Sequence, residues 1–230
     1  MNGTATAAHT DPLKEHAMST FETPEPITVT VEVLSGTVAV IASDRTDTVV
    51  AVRPADASKK ADVRAAEQTQ VGVEAGVLTV KTPKDWRTYT PFGGNPSVEV
   101  TIEVPTGSRL EGTAGVGRFV GTGEFGDCDL RIAAGDISID RPRGSVHAKT
   151  SKGDIRIGEA ARGDVRVETS MGELEIGIHP GSGVRMETST AQGTVQNLMN
   201  PVGTPASEET VRVFARNTYG NIIVRHTTAV

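Results

Sequence analysis

From residue 117 onward the chain runs in short stretches of alternating apolar and polar residues, and each stretch follows a glycine. Gly117, Gly135, Gly153, Gly172, Gly193 and Gly220 mark one series, at spacings of 18, 18, 19, 21 and 27 residues. The stretches after the last five read GDISI, GDIRI, GELEI, GTVQN and GNIIV. A second series starts from Gly126, Gly144, Gly163 and Gly183 and reads GDCDLRI, GSVHAKT, GDVRVET and GVRMET. A period of two puts alternate side chains on one face of a strand. The first series therefore predicts an inward column of Phe119, Ile137, Ile155, Leu174, Val195 and Ile222. Two residues further on stand Ile139, Ile157, Ile176 and Val224. The second series supplies Cys128, Val146 and Val165, then Leu130, Ala148 and Val167. Asp136, Ser138, Arg156, Arg166, Glu168, Glu173 and Glu175 fall on the opposite, outward face.

Two strands and two turns per unit of roughly 20 residues predict an all-β fold. A single unit cannot bury its own apolar face, whereas stacked units share a continuous core. The expected architecture is a right-handed parallel β-solenoid, β-helix-like, with two strands per coil; the alternative is a repeat β-sandwich. Pro142, Pro180, Pro201 and Pro205 fall in connections, where a residue without an N–H is tolerated.

The N-terminal half carries a looser form of the pattern. Residues 27–53 read as three short strands, with Val38 and Val40 inward after Gly36. Gly76 leads Leu78 and Val80, expected in the same places. Gly36, Gly76 and Gly117 are 40 and 41 residues apart, about two units each. The expected organisation is a polar, disordered leader over 1–26, an N-terminal β portion over 27–104 and a repeat domain over 105–226. A short tail over 227–230 closes the chain. Met18 is a candidate translation start. Residues 83–97 interrupt the alternation and read as a surface loop; residues 198–209 read as a shorter insertion. Residues 56–70 have helix-forming composition without an apolar stripe, and fit a short helix or an exposed loop.

Composition agrees with many short strands. Aromatics make up 3% of the 230 residues, so the core must be aliphatic, and 25 glycines supply turns. The net charge of −6 is spread without a basic run, which argues against nucleic acid and against an anionic membrane surface. One cysteine, Cys128, excludes an intrachain disulfide. No stretch reaches the ~18 apolar residues of a membrane helix, and the first residues contain no apolar signal core. A cytoplasmic location without membrane insertion is expected, with surface association left open.

The run GDISIDRPRGSVHAKTSKGDIRIGEAARGDVRVETSMGELEI resembles a bacterial domain-of-unknown-function family of β-strand-repeat putative adhesins. Its members alternate Gly-Asp-hydrophobic-x-hydrophobic units with Gly-x-Val-x-x-x-Thr units. SVEVTIEVPTGSRLEGTAGVGRF is similar to the strand and Val-Pro-x-Gly turn that lead into the family's repeats. The resemblance covers residues 27–226. It implies a non-catalytic scaffold presenting a surface to a protein partner. Two alternatives remain open: a carbohydrate-binding or carbohydrate-active solenoid, and a cytoplasmic regulatory or assembly partner.

Candidate chemistry is sparse. Asp136, Asp154 and Glu173 recur at equivalent turns and would stack in oxygen-rich rows of the kind that hold calcium, but an Asp after Gly also suits a turn. Arg162-Gly163-Asp164 spells a cell-adhesion tripeptide, two residues of which the repeat itself accounts for. Thr150, Thr169 and Thr190 recur before the repeat glycines, where a hydroxyl can satisfy turn backbone groups. Asp127, Asp129, Asp136 and Asp140 offer carboxylates for glycoside chemistry, without the aromatic platforms that sugars stack on. The histidines show no metal-ligand spacing, and no cofactor is expected. The expected partner contact is the loop carrying Trp86, Tyr89 and Phe92, because exposed aromatics concentrate binding energy. The same three residues would equally serve to cap the apolar end of the stack.

Overall fold

The computed structural model describes residues 17–83, 96–199 and 210–227. In chain order the elements are β1 (Ala17–Glu22), β2 (Thr28–Ser43), β3 (Asp47–Pro54), α1 (Lys60–Gln68), β4 (Gln70–Glu74), β5 (Val77–Lys81), β6 (Val98–Pro105) and β7 (Arg109–Phe125). They continue as β8 (Cys128–Pro142), β9 (Val146–Lys152), β10 (Ile155–Ala160), β11 (Gly163–Met171) and β12 (Leu174–Ile178). The last four are β13 (Gly183–Gln192), β14 (Val195–Leu198), β15 (Thr210–Tyr219) and β16 (Ile222–His226).

The protein is all-β; its described residues form one short helix and one large mixed sheet that does not close on itself. The expectation of a wholly parallel sheet is corrected at the N-terminal end. There β1 pairs antiparallel with β3, β3 with β6, and β4 with β5. Every other pairing among the described residues is parallel. Neighbouring residues in the middle of the sheet lie one repeat apart: Phe119 beside Ile137, Ile137 beside Ile155, and Ile155 beside Leu174.

Two inward columns run through the parallel strands. One is Leu78, Val29, Leu110, Cys128, Val146, Val165, Val213 and Met186. The other is Val100, Val38, Phe119, Ile137, Ile155, Leu174, Ile222 and Val195. All are buried except the last of each column. A core this poor in aromatics packs mainly aliphatic on aliphatic, each inward side chain meeting the one at the equivalent position on the next strand.

Two expectations about order along the stack are overturned. Leu78 and Val80 are inward, but they sit beside Val29 and Val31 rather than in the column of Val38 and Val40. Gly36 and Gly117 are immediate neighbours in the register, with no units between them. At the other end β15 and β16 insert between β11–β12 and β13–β14. The strand pair β15–β16 is therefore second from the end of the sheet, and β13–β14 lies outside it. Val195, expected in the core, is 43% exposed for this reason.

The glycine at each corner is required by the stack. Gly117 has φ +150°, and a Cβ there would lie 1.8 Å from the carbonyl oxygen of Gly36. The threonines close the same corner. Thr150 Oγ1 donates to Gly135 O at 3.1 Å, and Thr169 Oγ1 donates to Gly153 O at 3.1 Å. Asn217 takes the threonine's place in β15 and donates from Nδ2 to Gly172 O at 3.1 Å.

The N-terminal end is covered. Helix α1 lies where a short helix or an exposed loop was expected, and it buries Ala66. Its buried Asp62 accepts hydrogen bonds from the backbone N–H of Asp56 at 3.2 Å and of Ser97 at 3.0 Å, which ties the helix to the strand ends. Strand β1 lies inside the stretch expected to be a disordered leader. It is held by pairing with β3, and just after it the hydroxyls of buried Thr23 and Thr48 meet at 2.7 Å.

Candidate functional site

The repeat's turn aspartates accept hydrogen bonds from the backbone. Asp136 Oδ1 accepts from Asp154 N at 3.1 Å, and Asp154 Oδ1 accepts from Glu173 N at 2.7 Å. Asp127 Oδ1 accepts from Ser145 N at 2.8 Å. These rows lace each turn to the next and explain why Asp recurs after Gly. Among the described residues, no cluster of three or more His, Cys, Asp or Glu is arranged to hold a metal ion. Asp129 pairs with Arg131 at 3.0 Å, and Asp140 Oδ2 accepts from Gly123 N at 3.2 Å. The carboxylates considered for glycoside chemistry are thus each committed to a structural partner.

The adhesion-like tripeptide is likewise absorbed. Arg162 Nε donates to Arg143 O at 2.8 Å, and Asp164 lies 2.6 Å from Arg212 Nε as an ion pair. Burial pushes the Cys128 thiol up to about 12, as expected of a small buried side chain and not of a nucleophile. Trp86, Tyr89 and Phe92 lie outside the described residues.

The more distinctive surface is the outward face of β8, β9, β11, β15 and β13. Ion pairs bridge its strands: Lys149 with Glu168 at 3.0 Å, and Arg212 with Asp164. The Lys149 ammonium holds the Glu168 carboxyl below the usual carboxylate range. At the centre Arg166 lies over the ring of Phe214, 5.1 Å from its centroid. Arg166 is exposed and Phe214 half-buried, so the guanidinium–ring contact forms a solvent-facing platform on the sheet. A depression of about 340 Å³ opens on one side, lined by Glu111, Asp129, His147, Asp164 and Arg166. A second, of about 290 Å³, opens on the other and is lined by Arg166, Glu168, Glu187, Phe214 and Arg216. Arg166 is common to both.

Phe214 was not singled out from the sequence, though the signal was present. In VRVFAR the inward residues are Val211, Val213 and Ala215, which leaves Phe214 outward between Arg212 and Arg216. No helix among the described residues is long and apolar enough to cross a membrane.

No protein-family model matches the chain, and no curated protein matches it by sequence. Solved structures do. A protein from Clostridium sporogenes described as a putative cell adhesion protein aligns with a TM-score of 0.50 at 11% identity, covering 93% of this chain and 100% of that one. A putative adhesin from Bacteroides fragilis aligns with a TM-score of 0.38 at 12% identity, covering 93% and 98%. A protein from Parabacteroides distasonis described as a putative lipid binding protein aligns with a TM-score of 0.38 at 13% identity, covering 92% and 96%. The resemblance read from the repeats is therefore met at the level of the fold: the chain is built like a bacterial protein described as a putative cell adhesion protein.

Proposed function

We propose that the protein is a non-catalytic β-repeat scaffold of the adhesin type, its parallel coils stacked as a solenoid, and that it binds a protein partner on the face around Arg166 and Phe214. The observation that carries this reading is the Arg166–Phe214 platform set between two depressions. Arg and aromatic side chains held rigid at the centre of a polar face supply most of the energy in protein interfaces. Surrounding charges of both signs favour a partner with a complementary pattern over a uniformly charged polymer. The loop bearing Trp86, Tyr89 and Phe92 is proposed as a second contact, on the N-terminal portion.

The test is a comparison of immobilised wild-type protein with F214A, R166E and W86A variants as bait in extracts of the native cell. The expected result is a protein recovered by the wild type and reduced about tenfold or more by F214A or R166E, with melting temperature unchanged. Equal recovery by wild type and both face variants would remove the face from the reading. Recovery of glycan in place of protein would favour the carbohydrate-binding alternative.

A further inference from the structure

We infer that the outer coil, β13–β14, is a self-association edge at which two copies of this chain join through antiparallel β13 strands. Solenoid cores need a cap at each end, because the last coil has no neighbour to cover its inward residues. The N-terminal end has antiparallel strands and α1. At the other end, no described strand pairs with the outer edge of β13 or β14. Inward-pointing Val184 and Met186 are only half-buried, and Val195 and Leu198 are 43% and 58% exposed. The ten residues of β13 include no proline, and Arg185 and Glu187, its charged residues, both point outward. The usual devices that blunt an edge strand are thus missing: proline, an inward charge or a very short length.

Charge selects the occupant. Across the outward face, acid and base on adjacent strands pair: Lys149 with Glu168, Arg212 with Asp164, Arg156 with Glu175. Arg185 and Glu187 on the edge have no ion-pair partner among the described residues. They flank Met186. In an antiparallel pairing with a two-fold axis at Met186, Arg185 of each copy stands opposite Glu187 of the other. Val184 then stands opposite Thr188, and the two Met186 side chains join the cores. Moving the axis by one residue sets Arg185 opposite Arg185, or Glu187 opposite Glu187. Opposite charges stabilise a directly facing pair and like charges oppose it, so one register is favoured. An isologous interface of this kind also closes at two copies.

The experiment is sedimentation velocity of the full chain from about 1 to 100 μM, with circular dichroism and thermal melting to confirm that each variant is folded. The wild type is expected to form a dimer within this range. R185E alone, and E187R alone, should weaken the dimer about tenfold or more by opposing like charges. The double variant R185E/E187R restores opposite charges and should restore the dimer. A wild type that stays monomeric throughout overturns the inference. So does a folded R185E that dimerises as the wild type does, or a double variant no better than either single one.

Discussion

Thr190 donates its hydroxyl to the carbonyl oxygen of Gly220 at 3.3 Å, although Gly220 lies thirty residues later in the chain. The bond repeats the corner contact that Thr150 makes with Gly135 and Thr169 with Gly153, and in those two pairs the glycine comes earlier. The reversal marks the exchange of strand order at the C-terminal end. It predicts a gradient of hydrogen exchange that does not follow the sequence. Amides of β15, paired on both sides, should exchange about 100-fold or more slowly relative to those of β13, paired on one side only. Exchange measured by mass spectrometry with β15 as labile as β13 would contradict the order.

Among the described residues, the two largest fully buried side chains each lie over a glycine. Phe119 fills the space beside Gly112, where a Cβ would meet its ring at 2.5 Å, and Phe125 does the same at Gly121, at 3.1 Å. G112A should cost about 2 kcal/mol by overpacking, and F119A about 3–5 kcal/mol by leaving a cavity. Combining G112A with F119L should cost less than the sum of G112A alone and F119L alone, because the smaller side chain releases the clash. Urea denaturation of the wild type, G112A, F119L and the double variant measures the coupling, and strict additivity would mean that the two residues do not share the space.

Asp154 tests whether the acidic turns are structural. Its Oδ1 accepts the Glu173 N–H, a bond that Asn221 reproduces in the C-terminal coil by accepting from Thr194 N at 3.1 Å. D154N should therefore be nearly neutral, whereas D154A should cost about 0.5–1 kcal/mol, since water takes the place of the lost acceptor at this exposed turn. Melting in the presence of calcium or of a chelator should give the same ranking. A calcium-dependent stability lost in D154N would show a metal role instead.

Glu124 sets an acid-sensitive contribution. Arg143, at 2.7 Å, holds its carboxyl below the usual 4.5 by a side-chain hydrogen bond. A depressed folded-state pKa stabilises the fold above the unfolded value, and that stability is lost as pH falls through the folded pKa. E124Q should therefore be less stable than wild type by about 0.5 kcal/mol at pH 7, since the pair is partly exposed. The gap should shrink as pH falls below 4.5 and vanish in stronger acid. A gap that widens in acid would reverse the assignment.

The inward columns were legible because alternation by two states which side each residue takes, and Phe119, Ile137, Ile155 and Leu174 all lie where that rule puts them. What alternation does not encode is which strand comes next. Val195 follows its glycine just as Ile222 does, and only the stack decides that one is a rim and the other a core residue. The antiparallel N-terminal strands were hidden for a related reason: a strand's face pattern is the same in either direction. Strand β1 was missed because AMSTFE carries a polar composition, and its order comes from the backbone of β3. The Arg166–Phe214 platform joins residues from two strands far apart in sequence, so no local motif announces it.

The tucked position of β15–β16 has a consequence for synthesis. As the chain leaves the ribosome, β13 and β14 emerge before the two strands that they rest on. Until β15 and β16 are made, that strand pair has no native surface to settle against, and β11–β12 ends in an unfinished core. Folding from the amino end can proceed strand by strand as far as β12 and must then wait for β15–β16 to emerge, so a nascent chain exposed only as far as residue 199 would carry its sheet edge open to aggregation.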